Sequence, residues 1–121
     1  MSVPLMLSVF VALTALSASG DEQLKIAVSP AQSFAPSNLH IQARVVPHAE
    51  NRSLEIVAQS SEFYRSSRIS LEGDRAAAAN VFEFRGLPGG EYLISGILTD
   101  SRGHQRAIAE QQVRVIRQFG Q

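Results

Sequence analysis

The side chains best suited to metal chemistry in this chain are its three histidines, His40, His48 and His104. Imidazole nitrogens bind copper, but a copper site needs at least two or three such donors in a defined geometry. His40 falls on the outward face of a predicted strand, and the other two fall in predicted turns. Asp21 and Asp100 would complete a site with His104 only if folding brought them together. The pattern therefore predicts surface histidines rather than a shared metal site.

Patterns typical of catalysis are missing from the sequence. No cysteine is present, which excludes a Cys/His dyad and also any disulfide bond. None of the serines lies in the G-x-S-x-G pattern of a nucleophile elbow. The glycine-containing run 86–90 does not precede a helix, so it predicts a β-turn rather than a phosphate-binding loop. We therefore expect a protein that is not an enzyme and that uses no cofactor.

The segment 62–68 holds the residues best suited to contact with a partner, namely Phe63, Tyr64, Arg65 and Arg68. Aromatic residues and arginine are the types that most often anchor protein interfaces. Two interpretations stay open. Either the segment is a binding loop, or Phe63 packs beneath that loop and closes the core while Tyr64 stays half exposed.

The first twenty residues differ from the rest because they carry no charged side chain. An apolar run leads into small residues, which is typical of a secretory signal peptide cleaved near Ser19 or Gly20. The alternative is an uncleaved anchor, although the apolar stretch is shorter than the roughly 20 residues that a spanning helix needs. The sequence thus predicts a signal peptide over 1–20, a domain over 21–117 and a flexible tail over 118–121. Export would place the domain in the periplasm or outside the cell, without a membrane span after cleavage.

Composition narrows the choice of partners. The eleven basic and eleven acidic side chains cancel, which argues against broad electrostatic binding to nucleic acid or to an anionic membrane. We expect a protein or cell-surface partner of unknown identity, and the oligomeric state stays open. The triplet Asn51-Arg52-Ser53 is an N-glycosylation sequon, which matters only in a eukaryotic secretory pathway.

Alternating apolar and polar residues predict short strands separated by turns. The clearest pattern is Leu39, Ile41, Ala43 and Val45, with polar residues between them. The two prolines of segment 29–36 predict an irregular crossing or a broken edge strand. Residues 60–67 are predicted to form a long polar connection, and 76–79 a linker. About seven short antiparallel strands result, and with no strong amphipathic helix they indicate an all-β sandwich.

The segment 87–103 resembles the penultimate strand of immunoglobulin-like and fibronectin type III-like domains, of the disulfide-free kind found in bacterial exported proteins. In that family a tyrosine at the start of this strand bonds back to nearby backbone and forms a corner, and Tyr92 matches it. Ile94 stands at the position that is cysteine in antibody domains, with Ile41 or Ala43 as its expected partner. The resemblance implies an immunoglobulin-like sandwich over the whole domain, and it implies little about function because this fold serves many functions.

A second likeness concerns residues 29–31 and 100–104, which are similar to the frame of small periplasmic copper-binding proteins built on a sandwich. His104 matches one histidine ligand of that family, and the histidine expected at the mature N-terminus is absent. The leading hypothesis is an exported, non-catalytic module that acts by contact in adhesion, assembly or envelope scaffolding. The alternative is a copper carrier that uses His104.

Overall fold

The structure is a computed structural model, and it describes residues 19–20 and 22–118. The predicted signal peptide therefore lies outside the described residues except for Ser19 and Gly20, and the predicted tail does so except for Gln118. No helix in residues 22–118 is long and apolar enough to cross a membrane.

The chain folds into two β-sheets, as predicted for an all-β sandwich. One sheet has four strands in the order β1-β2-β4-β7, and the other has five in the order β3-β9-β8-β5-β6. One turn of 3-10 helix, Gly73–Arg75, precedes β7. The strands are β1 (Ser19–Gly20), β2 (Leu24–Ser29), β3 (Gln32–Phe34), β4 (Ser37–Val45), β5 (Ser53–Gln59), β6 (Tyr64–Ser70), β7 (Ala79–Leu87), β8 (Gly90–Thr99) and β9 (Gln105–Ile116).

The hydrophobic core lies between the two sheets and is built from the apolar positions of the alternating patterns. Leu39, Ile41 and Ala43 of β4 are fully buried, and the polar residues between them face solvent. Phe82 and Phe84 of β7 lie beside this row, since Ile41 pairs with Phe82 and Leu39 with Phe84. Side chains of successive residues alternate between the faces of a strand, so one apolar row per strand suffices to fill the core.

The two prolines of the crossing between β2 and β4 mark a change of sheet. After Ser29 the chain leaves the four-stranded sheet, runs as β3 along β9 of the other sheet, and returns as β4. Arg114 N–H donates to the carbonyl of Ala31 at 2.9 Å, and Ala35 N–H donates to the carbonyl of Ile116 at 2.8 Å. The short strand β3 thus covers the outer edge of β9.

One detail of the predicted strand pattern is wrong. The structure describes seven strands of six or more residues, in line with the expected number. It also describes the two-residue strand β1 and the short strand β3, which lies in segment 29–36, where a broken edge strand was one of the two predicted outcomes. The pairing of β3 with β9 is parallel, not antiparallel. This arrangement follows from the change of sheet, because β3 continues in the direction of β2 after it crosses.

The prediction that two further segments form connections is also wrong. Residues 64–67, predicted as part of a polar loop, belong to strand β6, which pairs antiparallel with β5 along its whole length. Ala79, predicted in a linker, begins β7 and pairs with Arg44. Polar residues form a strand here because β5 supplies the backbone partners, while the serines and arginines of β6 remain hydrated at the edge of the sheet.

Candidate functional site

Strand β6 separates the candidate contact residues onto its two faces. A tight turn closed by Ser60 N–H donating to the carbonyl of Phe63, at 2.9 Å, leads into the strand. Alternation then directs Phe63 and Arg65 toward the core, and Tyr64 and Arg68 toward solvent. The four residues singled out in the sequence are thus not one loop surface but two pairs with different surroundings.

Phe63 packs against the edge of the core. It is partly buried, and its ring meets the ring of Tyr92 edge-on, with centroids 6.2 Å apart and an interplanar angle of 74°. The guanidinium of Arg65 lies 5.1 Å from the centroid of the Phe63 ring, in a cation–π arrangement. The structure therefore places Phe63 in the packing position that was one of the two interpretations of this segment.

Arg65 links the two sheets where β6 and β7 run side by side. Its Nη1 donates to the carbonyl oxygen of Arg85 on β7, at 2.6 Å. This bond joins the edge strand of the five-stranded sheet to the edge strand of the four-stranded sheet. We call the side of the sandwich formed by β6 and β7 the open side, because Arg65 spans it with one side chain.

Tyr92 lies at the start of β8 and is almost fully buried. Its hydroxyl donates to the carbonyl of Pro88 at 2.7 Å, which is the backward bond that the family resemblance implies. Burial raises the pKa of the Tyr92 phenol, because the phenolate would lose its hydration, and a hydrogen bond with Ser60 and the charges of Arg65 and Arg117 oppose this rise only in part. Tyr92 is thus a structural group that stays protonated, not a candidate general base.

Tyr64 and Arg68 belong to a wider surface that we call the outer face, meaning the solvent side of β6, β5, β8 and β9. Tyr64 is 59% exposed, and Leu93 of β8 and Ile108 of β9 are 36% and 38% exposed. Ile97 lies directly beside Ile108 in the strand register. Val57 of β5 faces the same way but is only 8% exposed, because the longer neighbouring side chains cover it.

Leu93, Ile97 and Ile108 are candidate site residues that the sequence did not single out. Their signal was available, since each is an apolar residue at an outward position of a predicted strand. It could not be recognised as a surface without the register, which places Ile97 beside Ile108 and Leu93 beside Gln112. The pairing of β8 with β9 brings Ile97 and Ile108 together, and Leu93 lies on the same face four residues along β8 from Ile97.

The charged groups at the outer face are placed unevenly. Arg114 Nε is 2.8 Å from a carboxylate oxygen of Glu91, so this pair at one end of β8 and β9 is neutralised. Arg68 stands opposite Glu55 in the register of β5 and β6, yet within residues 22–118 no ion pair or hydrogen bond joins its guanidinium to an acid. Arg68 is therefore a hydrated cation at the sheet edge.

The histidines do not come together in the structure. His40 on β4 is 3.5 Å from Glu83, and His104 in the turn between β8 and β9 is 3.7 Å from Asp100. Nδ1 of His48 accepts a hydrogen bond from the backbone N–H of Glu50 at 3.0 Å. Among the described residues no three His, Asp or Glu side chains are grouped so that they could hold a metal ion, so His104 has Asp100 but no second imidazole beside it.

Asp100 acts as a turn residue, as its position in the sequence predicts. Its Oδ1 accepts hydrogen bonds from the backbone N–H of Arg102 at 2.8 Å and of His104 at 2.9 Å. These bonds, first that from His104, lower the pKa of the Asp100 carboxyl because they stabilise its ionised form. The carboxylate therefore organises the turn rather than a ligand site.

The sequon residue Asn51 is 1% exposed. Its Nδ2 donates to the carbonyl of Val46 at 3.0 Å, and its Oδ1 accepts a hydrogen bond from Arg106. The backbone carbonyl of Asn51 also accepts from Gly73 N–H at 3.0 Å. Asn51 thus ties three loops together at one end of the sandwich, and its amide is not available for a glycan in the folded domain.

Comparison with known proteins identifies the fold but no family. No model of a known protein family and no curated protein sequence matches the chain. Among solved structures it is similar to a superoxide reductase (neelaredoxin) from Ignicoccus hospitalis, at 14% identity and a TM-score of 0.56 over 83% of each chain. It is also similar to a family 76 glycoside hydrolase from a bovine Bacteroides thetaiotaomicron strain, at 12% identity and a TM-score of 0.53, over 84% of this chain but 21% of that one. At such identities the likeness shows a shared β fold and nothing about activity.

Proposed function

We propose that this chain is an exported, non-catalytic immunoglobulin-like module that acts by contact with a protein or cell-surface partner. The observation that carries the proposal is the outer face of the five-stranded sheet. Tyr64, Leu93 and Ile108 are exposed there on one surface, although alternate strand positions facing solvent are ordinarily polar.

The two sheet surfaces of the sandwich differ in a way that supports this assignment. On the solvent side of the four-stranded sheet the exposed large apolar residues are Val81, 72% exposed, and Val46 just after β4, 52% exposed, among polar and charged neighbours such as His40 and Glu83. Isolated exposed apolar side chains need no explanation, whereas adjacent ones indicate an interaction site, and on the outer face Ile97 and Ile108 are adjacent. The outer face also has a polar rim with Arg68 and Gln112, as contact surfaces commonly do.

The immunoglobulin-like assignment is supported by the order of the strands and by Tyr92. Strands β2, β4 and β7 form one sheet, and β9, β8, β5 and β6 form the other, with the tyrosine bonded back at the start of the penultimate strand. Export is supported by the charge-free first twenty residues. A non-catalytic role is supported by Asp100, whose carboxylate caps its own turn, and by His40 and His104, each of which lies beside a single carboxylate.

The test is partner capture with the full chain, tagged at its C-terminus and expressed in its host. We expect the exported protein to retain a partner from the envelope extract, and we expect the double variant Leu93→Ser, Ile108→Ser to lose it. Val81→Ser is the matched control, since it removes an exposed apolar residue from the other sheet. Equal capture by the wild type and the double variant, or no retained partner at all, would contradict the proposal.

A further inference from the structure

Strand β6 has a row of backbone groups that no other described strand pairs with. The bonds from Ser60 N–H to Phe63 and from Leu71 N–H to Arg52, at 2.9 and 2.8 Å, fix which residues of β6 bond to β5. In an antiparallel pair such residues alternate, so Arg65, Ser67 and Ile69 face β5. The backbone N–H and C=O groups that face away from β5 belong to Tyr64, Ser66, Arg68 and Ser70.

The neighbouring edge, β7, is less accessible. Val45 N–H donates to the carbonyl of Ala78 at 2.8 Å, so by the same alternation the outward groups of β7 are those of the odd-numbered residues. The carbonyl of Arg85 among them accepts a hydrogen bond from Arg65. One outward group of the β7 edge is therefore occupied by a side chain of its own chain.

The open side also leaves part of the core incompletely covered. The apolar residues that pack against the core but stay partly exposed are Phe63, Ile69 and Ala76. Phe63 directly precedes β6, Ile69 lies within it, and Ala76 precedes β7. Any strand that extended the five-stranded sheet beyond β6 would place alternate side chains above these residues, as the inward side chains of β6 now lie above the core.

The charge of this edge favours an acidic occupant. Strand β6 contains two arginines and no acid. Arg65 is engaged with Arg85 and Phe63. Arg68 lies on the outer face opposite Glu55 of β5 on one side, forms no ion pair with it in the described chain, and has the open edge on its other side. A carboxylate on a strand beside β6 would meet Arg68 at the distance of a cross-strand pair, where opposite charges stabilise the pairing.

We propose that the β6 edge binds an extended segment of a partner protein as an additional antiparallel strand. Acidic side chains of that segment lie on the outer face beside Arg68, and apolar side chains alternate with them above Ile69 and Phe63. This inference rests on the proposed contact function and deepens it, because it names the class of partner. Main-chain hydrogen bonds supply affinity in such an addition, and the alternating side chains supply specificity.

A second copy of this chain is the less suitable occupant. Two β6 strands paired with each other would place Arg68 of both strands on the outer face of one ladder, with no acid in either strand. Cross-strand pairs of like charge are destabilising. An acidic segment removes this conflict.

The probe is a seven-residue peptide, acetyl-Thr-Val-Glu-Val-Glu-Val-Thr-amide, titrated into the ¹⁵N-labelled protein recovered after export from its host. We expect backbone amide shifts to change at Tyr64, Ser66, Arg68 and Ser70. The same peptide with lysine in place of glutamate should bind at least about tenfold more weakly, because its charges repel Arg68.

Two N-methylated peptides test the strand geometry. In an antiparallel addition the glutamates lie opposite the outward residues of β6, so their N–H groups face that strand and the valine N–H groups face solvent. Methylation of the glutamate nitrogens should abolish binding, and methylation of the valine nitrogens should preserve it. Equal binding of the two peptides would overturn the proposal.

Protein variants give a second test. Ser66→Pro removes an outward N–H without removing a bond to β5, a position where an edge strand tolerates proline, and should weaken peptide binding by about tenfold or more. Val81→Pro, on the β7 edge, is the matched control and should bind normally. Unchanged binding to Ser66→Pro, or self-association through β6 that this variant abolishes, would overturn the proposal. If the peptide does not bind while the outer face still retains a partner, this inference fails and the proposed function stands.

Discussion

The edge strands on the two lateral sides of the sandwich are covered to different degrees. On the side formed by β2, β3 and β9, which we call the closed side, the chain covers its own edges. Strand β3 lies along β9, and the carboxamide of Gln111 on β9 takes the place of a neighbouring strand for Val28 of β2. Its Oε1 accepts from Val28 N–H and its Nε2 donates to the Val28 carbonyl, both at 3.2 Å.

On the open side, no strand and no carboxamide among the described residues does the same for β6. Arg65 spans the gap to β7 with one hydrogen bond to Arg85, and the outward backbone groups of β6 stay hydrated. Edge strands with free backbone groups invite pairing with other chains, so proteins usually cover or interrupt them. Within the described residues, one side of the domain is covered and the other is accessible, which is the arrangement that the proposed contact function would need.

The largest expected effect lies in the core beneath the open side. Phe84 of β7 is 3% exposed, and Phe84→Ala should lower the free energy of unfolding by about 3 to 5 kcal/mol because it leaves a cavity. Val81→Ala, on the exposed face of the same strand, should change it by less than about 0.5 kcal/mol. Chemical denaturation of both variants measures the difference. Similar values for the two would mean that β7 does not face the core as described.

The next effect tests the closed side. Gln111→Leu keeps the bulk of the side chain but leaves two partly buried backbone groups of Val28 without a partner. We expect a loss of about 2 to 4 kcal/mol, since each unsatisfied buried group costs roughly 1 to 3 kcal/mol. Gln112→Leu is the control, because Gln112 lies on the outer face and faces solvent. If thermal and denaturant unfolding show equal losses for the two variants, the carboxamide of Gln111 does not replace a strand.

Tyr92→Phe removes the hydroxyl that bonds to Pro88, at the end of the sandwich near β6. The expected loss is about 1 to 3 kcal/mol, because the Pro88 carbonyl is left without its donor. No loss in equilibrium unfolding would show that the corner bond does not contribute to stability.

The same residue gives a pH dependence. The pKa of Tyr92 is raised above its ordinary value of 10.0 by burial. The protonated phenol therefore contributes stability that is fully present below pH 10 and is lost as the pH rises through the folded-state pKa. Unfolding curves between pH 8 and 11 should show the wild type losing stability faster than Tyr92→Phe, so that the gap between them narrows. A gap that widens with pH would contradict the direction of this shift.

The smallest expected effect is that of Arg65→Gln on the open side. Its hydrogen bond and its cation–π contact are partly exposed, so together they should contribute about 1 kcal/mol or less. Comparing the stability lost in Arg65→Gln with that lost in Gln111→Leu is more informative than either value alone, because each variant changes one side chain that bridges the two sheets. A loss from Arg65→Gln as large as that from Gln111→Leu would mean that the open side is as firmly closed as the other.

Sequence alone predicted the parts of the fold that depend on alternation. The strand with Leu39, Ile41 and Ala43 was predicted because one of its faces is buried, and burial imposes an apolar residue at every second position. The turn at Asp100 was predicted because its carboxylate caps nearby backbone. Only the first residues of β6, 64–67, were predicted as a loop, because serine and arginine on both faces of an edge strand carry no such pattern.

The candidate site was predicted only in part, and for a physical reason. Residue type singles out Tyr64 and Arg68, which lie on the outer face. By the same criterion it also singles out Phe63 and Arg65, although Phe63 packs against Tyr92 and Arg65 bonds to Arg85. Residue type does not reveal the face of a strand when the strand itself is not recognised. The apolar residues of β8 and β9 join this surface through cross-strand pairing, which depends on contacts between residues distant in the sequence.

Native-state hydrogen exchange, read by NMR for individual amides, tests most directly the claim that one side is closed and the other open. The amide of Val28, held by Gln111, should be protected to a degree close to that of the core strands. The amides of Ser66 and Arg68, which face away from β5, should exchange at rates near those of an unstructured chain. Protection at Ser66 and Arg68 equal to that at Val28 would contradict the account, because the β6 edge would then already be covered.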